Sequence, residues 1–451
     1  MRKIFDNIRL VIENSNASKV LYPSLILVML LIGTLNFNSN LMGGMFDFYV
    51  DYKNIIQSNF DTSVAKRGLP TFPMWGYGWI LVLTEERWLI FVLQNLAALV
   101  SIVSLNRVAS RDFNKKTLFL FNFMLIASAS WIAIHSTLSP YSFAISLQII
   151  SITLIIKSIQ EKSINFTIAA GLAYGLMLNF RSDYILFVPF VLFVIFYTVK
   201  DNLFRLKMSS VFLIITFSML IPWSMYAHKT TGHHMLTSTN AGHVFFIGLG
   251  NLPNNKWGVS EEDDDPVMRG LLFDHFGEPE SSLSQRGDEF LKKQYIRMIL
   301  EDPIEYSKKV IYSFVKANIQ GIYVPEFYNQ IETCKPNCKD VFKKDIKISF
   351  IESLKDGEKF IIYILTYLSI FVGIIVLLVG HILVFSSGKK LILEKSPLII
   401  FGVGVIVYQL ALNSFSFQMK LYSTYSYIWC LFIIAHFIFD RSQTQKKGRD
   451  N

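Results

Sequence analysis

Apolar runs close to twenty residues long recur along almost the whole chain, and the short loops between them are rich in lysine and arginine. A helix needs roughly twenty residues to cross about 30 Å of hydrocarbon. Only helices or closed barrels satisfy their backbone polar groups in that medium. The pattern therefore predicts an all-α polytopic membrane protein with about ten transmembrane helices. Composition agrees: 52% of the 451 residues are hydrophobic and 17% are charged, where a soluble domain carries about a quarter charged residues. The net charge is +9, but the cations are spread over many loops. A nucleic-acid surface would gather them on one element, so no nucleic-acid partner is expected.

The apolar runs place spans near residues 20–37, 88–105, 118–134, 141–156, 164–180, 184–199, 211–226, 360–385, 397–413 and 421–439. Residues 75–83 are too short to cross and are followed by Glu85, Glu86 and Arg87, which suits an interfacial helix with its tryptophans at headgroup level. The basic amphipathic N-terminus, residues 1–19, reads as part of a retained anchor. Alternate loops carry Arg107, Arg111, Lys115 and Lys116, then Lys157 and Lys162, then Lys200, Arg205 and Lys207, then Lys389, Lys390 and Lys395. The positive-inside rule puts these loops and both termini in the cytoplasm. The first loop, residues 38–74, and one long polar insertion, residues 227–359, then share the outer face. This gives three regions: a transmembrane module over 1–226, an extracytoplasmic loop over 227–359, and C-terminal helices with a basic tail over 360–451.

The long insertion mixes small polar residues, glycine and aromatics at its start. Its acidic run, residues 261–265, reads as a solvated loop rather than a cation site, because calcium loops space their ligands out. Residues 285–321 have helical periodicity, with Phe290, Tyr295, Met298 and Ile299 on one side. Pro303 restarts the pattern with Ile304, Val310, Ile311, Phe314 and Val315. This predicts an amphipathic helix pair suited to lie on the membrane. Cys334 and Cys338 form a Cys-Lys-Pro-Asn-Cys step with no further ligands at zinc spacing. They are candidates for a small disulfide on an oxidising face, with two free thiols the alternative. Cys430 lies in an apolar span. His228, His233, His234 and His243 fit no common zinc pattern, so no metal site is assigned. No phosphate-binding loop, dinucleotide fingerprint or nucleophile elbow is present, so nothing supports a nucleotide-dependent reaction.

The residues with chemistry in reach of a membrane face are few. Asp47 and Asp51 are four apart, so a helix would put them on one face. Their aromatic neighbours Phe46, Phe48, Tyr49 and Tyr52 would lower the local dielectric and favour general-base work. Two solvated acids are the plain alternative. Lys66 and Arg67 precede a proline-rich approach to the interfacial helix, where cations can grip a lipid phosphate. Arg181 and Asp183 sit between two spans with almost no loop. Ionisable groups so near hydrocarbon are functional candidates, and they could instead pair with each other. His135 ends the third span and reads as interfacial.

Taken together, these features resemble the GT-C superfamily of integral-membrane glycosyltransferases, in the bacterial branch related to protein O-mannosyltransferases and lipid A aminoarabinose transferases. The likeness is carried over roughly residues 21–323 by several steps in order. They are Asp47-Phe48-Tyr49-Val50-Asp51-Tyr52 in the first outer loop, Lys66 to Pro73, Arg181, the segment Ser238-Thr239-Asn240-Ala241-Gly242 leading to Gly248-Leu249-Gly250-Asn251, and Glu301-Asp302-Pro303. The resemblance implies a sugar donor on a polyprenyl phosphate, a glycan, lipid or protein acceptor, and transfer at the extracytoplasmic face of a bacterial inner membrane. It implies that Asp47 or Asp51 is the base, that Lys66, Arg67 and Arg181 hold the lipid phosphate, and that Asn240, Gly242, His243 and Asn251 belong to a substrate loop. No cofactor is implied with certainty, and a divalent metal has no ligand set to support it. The chain departs from the family where Asp51 replaces a tyrosine four residues after the first acid, and where the loop 135–140 lacks an acid. A polysaccharide polymerase or ligase using diphosphate-linked glycans, or a lipid or glycan transporter, is the alternative.

Overall fold

A computed structural model describes residues 45–64, 71–84, 87–136, 138–319, 357–393, 396–416 and 420–447. The described residues are helical, without strands. Near the start, α1 (Met45–Gln57) and α2 (Gly76–Leu83) pack on each other, and then come α3 (Arg87–Asp112), α4 (Lys115–Ala127), α5 (Ala129–Ser136), α6 (Pro140–Glu161) and α7 (Ile164–Phe180). A 3-10 turn over Ser182–Phe187 leads to α8 (Val188–Thr198), α9 (Asn202–Ser218) and α10 (Ile221–Thr231). The insertion contributes α11 (Ala241–Gly248), α12 (Pro266–Phe276), α13 (Gln285–Glu301) and α14 (Pro303–Ile319). The chain finishes with α15 (Gly357–Leu393), α16 (Pro397–Phe415) and α17 (Lys420–Lys447).

Five stretches are long and apolar enough to cross a membrane: Trp88–Asp112, Pro140–Glu161, Asn202–Thr231, Phe371–Leu393 and Pro397–Phe415. Ile164–Phe180, Ser182–Thr198 and Ser423–Phe439 are shorter apolar helices. The fold is thus compatible with an integral membrane protein.

Three expected spans are built differently. The run 118–134 is broken at Ser128, whose N–H turns back to Leu125 O at 3.1 Å and whose hydroxyl bonds Tyr427 at 2.8 Å. The run 184–199 begins as the 3-10 turn. The run 211–226 is two helices, the first beginning nine residues earlier at Asn202, capped by Asp201, which accepts from Phe204 N–H at 3.1 Å. The second starts at Ile221, with Pro222 in its first turn, where a missing N–H costs nothing.

The bundle is held by close approach and by sparse polar glue, as expected where lipid removes the hydrophobic contrast between helices. Gly171 and Gly175 form a small-xxx-small pair on α7. A Cβ on Gly175 would lie 2.5 Å from Met219 Cβ, and one on Gly171 2.9 Å from Ile215 Cβ, so α9 packs directly on the α7 backbone. Ser151 Oγ donates to Ala170 O at 2.9 Å, and Ser158 Oγ meets Thr167 Oγ1 at 2.7 Å, tying α6 to α7. Asn106 and Asn122 exchange two amide bonds of 2.9 Å between α3 and α4. One continuous apolar core runs through these helices.

A second core forms beside it from Phe246, Ile247, Leu249, Met268, Leu272, Leu291, Tyr295 and Met298. The helix pair predicted over 285–321 is present as α13 and α14, with Ser284 capping one (Gly287 N–H, 3.0 Å) and Asp302 receiving Glu305 N–H (2.9 Å) at the start of the other. The packing of α13 differs from expectation: Tyr295 and Met298 face this protein core, and its exposed apolar side chains are Ile296 and Leu300. On α14 the expected residues Ile304, Ile311, Phe314 and Val315 are exposed.

Candidate functional site

The site begins where α2 meets the end of α7. Trp75 Nε1–H donates to Asn179 Oδ1 at 2.9 Å, and Asn179 Nδ2–H donates to Gly175 O at 2.9 Å and Met219 O at 3.1 Å. Gly76 presses on the same turn, since a Cβ there would sit 2.5 Å from Asn179 O. Asn179 thus joins α2, α7 and the C-terminal end of α9. Two residues on, the chain turns extended at Arg181, the C-cap of α7.

Arg181 is mostly buried, and its guanidinium has defined work. Nη1 donates to Tyr141 Oη at 2.6 Å, Nε reaches Asp183 Oδ1 at 3.1 Å, and the group lies 4.4 Å from the centre of the Tyr141 ring. The pairing with Asp183, raised from the sequence as the structural alternative to phosphate binding, is therefore present, and Tyr141, not foreseen as a partner, is a further contact. Asp183 is further held by its carbonyl, which accepts from Tyr408 Oη. Tyr184 follows with its hydroxyl against Gln409 Nε2, so residues 183 and 184 fasten the arginine segment to α16.

Helix α1 packs on α2, where Tyr52 lies against Gly78. It contains positions 47 and 51, one turn apart, as the helical reading requires. Asp51 is buried, 8% exposed, beside Tyr49 and Tyr52, which are also buried. Burial pushes the Tyr49 phenol up to about 12 while the Arg181 charge pulls it down. That opposition places Tyr49 within electrostatic reach of the guanidinium, and the phenol stays a donor at neutral pH. Tyr49 meets Tyr77 edge-on at 5.1 Å, and the Tyr77 hydroxyl donates to Gln94 Oε1 at 3.1 Å. Gln94 in turn donates to His135 O at 3.2 Å, while His135 Nδ1 and Ser142 Oγ are 2.8 Å apart. His135 is thus a buried member of this network.

The first loop and the insertion meet directly. Thr239 N–H donates to Thr71 O at 3.2 Å, the two hydroxyls are 3.0 Å apart, and Thr239 Oγ1 donates to Leu283 O at 2.6 Å. Below this contact, Trp75, Trp223 and Tyr226 pack with Tyr52 and Phe60 as one aromatic cluster. A run of aromatics in three separate segments is the sequence signal for it; threonines carry none.

The remaining candidates fall elsewhere. Gly242 lies against α13: its N–H donates to Asp288 Oδ1 at 2.6 Å, and a Cβ would be 2.1 Å from Asp288 O. His243 is buried between Ser282 Oγ at 2.9 Å and Asp263 Oδ1 at 3.2 Å, and this contact holds the Asp263 carboxyl below its usual range. Asn240 is the N-cap of α11, and Asn251 is buried at the end of the following turn. These four build the α11–α13 unit. Within the acidic run, Asp265 caps α12 and also accepts from Ser260 N–H and Oγ, and Asp264 pairs with Arg269. His228 and His234 stack face to face at 4.1 Å. Among the described residues no three His, Cys, Asp or Glu side chains gather as a metal-binding group. Lys66, Arg67, Cys334 and Cys338 lie outside the described residues.

No family model, no curated protein and no solved structure gives a match to this chain.

Proposed function

We propose that this chain is a membrane glycosyltransferase of the GT-C type, moving a sugar from a polyprenyl-phosphate donor to a glycan, lipid or protein acceptor on the extracytoplasmic face. What supports the reading is the buried Asp51 on α1, next to Tyr49, whose phenol the Arg181 charge pulls down, together with the contact that joins Thr71 to Thr239. In this reading ten spans bring the loops 38–74 and 227–359 to one side of the membrane. The acceptor hydroxyl attacks the anomeric carbon and its proton passes to Asp51 or Asp47. The bond from that carbon to the phosphate oxygen breaks, and polyprenyl phosphate leaves. Arg181 supplies a fixed positive charge for the phosphate as negative charge develops on it, and the donor's own activation removes the need for a nucleotide.

The test is sugar transfer by purified protein in lipid nanodiscs, with monophosphate-linked and diphosphate-linked donors in parallel. Turnover with the monophosphate donor that is lost in either Asp47→Asn or Asp51→Asn supports the proposal. Full turnover in both variants sinks it. Turnover with the diphosphate donor alone reassigns the protein as a polymerase or ligase, and flux without a new glycosidic bond reassigns it as a transporter.

A further inference from the structure

We infer that the α11–α13 unit carries a second reactive centre, in which Ser282 is a nucleophile that takes the acyl group of a short, uncharged oxygen ester, His243 is its base, and Asp263 is a positioning residue for that base. His243 Nδ1 is 2.9 Å from Ser282 Oγ, and His243 Nε2 is 3.2 Å from Asp263 Oδ1. An ionised carboxylate only accepts hydrogen bonds, so in the neutral imidazole Nε2 carries the proton and Nδ1 turns its lone pair to the serine O–H. A base within hydrogen-bond reach of a hydroxyl, itself oriented by a third group, is what makes that hydroxyl nucleophilic.

The three groups come from separate segments, and contacts on either side hold their alignment. Gly242, one residue before the histidine, donates its N–H to Asp288 Oδ1 at 2.6 Å, and Leu283, one residue after the serine, accepts from Thr239 Oγ1 at 2.6 Å. The serine turn is closed on itself, with Ser284 N–H on Ser281 O at 3.1 Å and Leu283 N–H on Ser281 Oγ at 3.2 Å. His243 is buried while Ser282 is half-buried and the Asp263 side chain is 92% exposed, so the base is shielded and the serine meets solvent on one side. The other acids nearby in the run are engaged elsewhere: Glu261 with Lys316, Asp264 with Arg269, and Asp265 at the start of α12. Two further serine–histidine contacts lack the third group. His135, bonded to Ser142, is enclosed with its Nε2 unpartnered, and His234, 3.3 Å from Ser224, stacks on His228.

The reaction this arrangement performs is ester cleavage through an acyl-serine. Ser282 Oγ bonds to the ester carbonyl carbon as its proton passes to His243 Nδ1. The bond from that carbon to the alcohol oxygen then breaks, and the departing oxygen takes the proton. Water attacks the acyl-serine by the same route, giving a proton to Nδ1, and Ser282 Oγ recovers that proton as the carboxylic acid leaves. Ester and water thus become acid and alcohol. The acids of the two flanking loops, among them Glu262, Glu278 and Glu280, disfavour an anionic ester. Phe246, Ile247 and Leu291 are turned into the unit's own core, so the acyl group that fits is a short one.

None of these steps uses a glycosyl donor, so a silent sugar-transfer assay does not bear on Ser282. The full chain in lipid nanodiscs is treated with a biotinylated fluorophosphonate, and adducts are mapped by peptide mass spectrometry. In the wild type, Ser282 should be modified about 10²-fold faster than Ser281 and Ser284, the scale of one positioned base. His243→Gln should remove that advantage. Asp263→Asn should lower it by about tenfold, because the amide can send its own N–H to Nε2 and move the ring proton to Nδ1, while Asp263→Glu should retain it. 4-Nitrophenyl acetate should release a burst of nitrophenol stoichiometric with the chain and leave acetyl on Ser282, and Ser282→Ala should show neither. Modification of Ser282 no faster than that of Ser281 and Ser284 in the folded wild type overturns the inference without recourse to any variant. An unchanged rate at Ser282 in His243→Gln overturns it as well.

Discussion

Thr71 and Thr239 stand 168 residues apart in sequence, yet their hydroxyls are 3.0 Å from each other and both are buried. This contact sets the segments around residues 71 and 239 side by side. A chain carrying Thr71→Cys and Thr239→Cys should be joined by a short bifunctional thiol reagent, read as a mobility shift after cleavage of the intervening chain. Thr239→Val removes the hydroxyl bonds to Thr71 and to Leu283 O and leaves the backbone bond from Thr239 N–H to Thr71 O. The loss should be about 1–2 kcal/mol, from unmade buried hydrogen bonds, and appear as a lower thermal midpoint in detergent. Absence of a cross-link under conditions that label both cysteines would separate the loops and remove the proposed reaction centre.

Gly76 marks the closest backbone contact at the site. A methyl group there would fall 2.5 Å from Asn179 O and 2.8 Å from Asn179 C, and neither backbone atom can swing away. Gly76→Ala should push α2 off α7, break the Trp75–Asn179 bond, and cost about 1–3 kcal/mol as an overpacked contact. Gly270→Ala, on α12 with open space around it, should change the midpoint little. Equal midpoints for the two variants would show that α2 is not seated on the α7 end.

The Arg181–Asp183 pair separates structure from chemistry. Its side chains are 15% and 17% exposed, and Asp183 Oδ2 has no hydrogen-bond partner. Arg181→Gln therefore leaves a shielded carboxylate without its cation. Removing one partner of a fully buried pair costs about 3–5 kcal/mol, and the residual exposure here brings the expectation to about 2–3 kcal/mol. Adding Asp183→Asn should restore much of that stability. If Arg181 serves the lipid phosphate, the double variant should still lose about 10²–10³ in transfer rate, the scale of one preorganised charge donor. A stable double variant with full activity would make the pair purely structural.

How much of this could be read in advance follows from the kind of force involved. The helix pair over 285–321 was legible because Pro303 and the period of its apolar residues are local signals, and the same holds for the helix under Asp47 and Asp51. The break at Ser128 was not, since hydropathy is continuous there and the reason is a tertiary bond to Tyr427, 299 residues away. Arg181 stood out as a charge at a span boundary, whereas Tyr141 looked like any residue opening a helix. Gly242 and His243 were noticed for their motif, but their surroundings are packing against α13 and a buried hydrogen bond, which a motif cannot reveal. The direction of the apolar face on α13 also depended on the partner, because Tyr295 finds Phe415 O rather than solvent.

Lys309 provides the pH test of how α14 docks. It is fully buried, and that burial pushes its pKa from 10.5 down to about 7. Tyr295 and Tyr306, the titratable groups beside it, are both raised from 10.0 and so remain protonated through the neutral range. Between about pH 7 and 10.5 the unfolded chain binds a proton at this lysine that the folded chain does not. Stability should therefore rise with pH across that window, by up to about 1.4 kcal/mol per unit, and the full penalty of the buried charge should be present below pH 7. A neutral amine still has two N–H groups for Ser414 O and Ser416 O, so docking survives the titration. The thermal midpoint in detergent should climb from pH 7 to 9 in the wild type. In Lys309→Met the absolute midpoint should fall, because both carbonyls lose their donor, but the climb attributable to this residue should vanish. An identical slope in the variant would mean that Lys309 titrates with its ordinary affinity and is not enclosed at the end of α16.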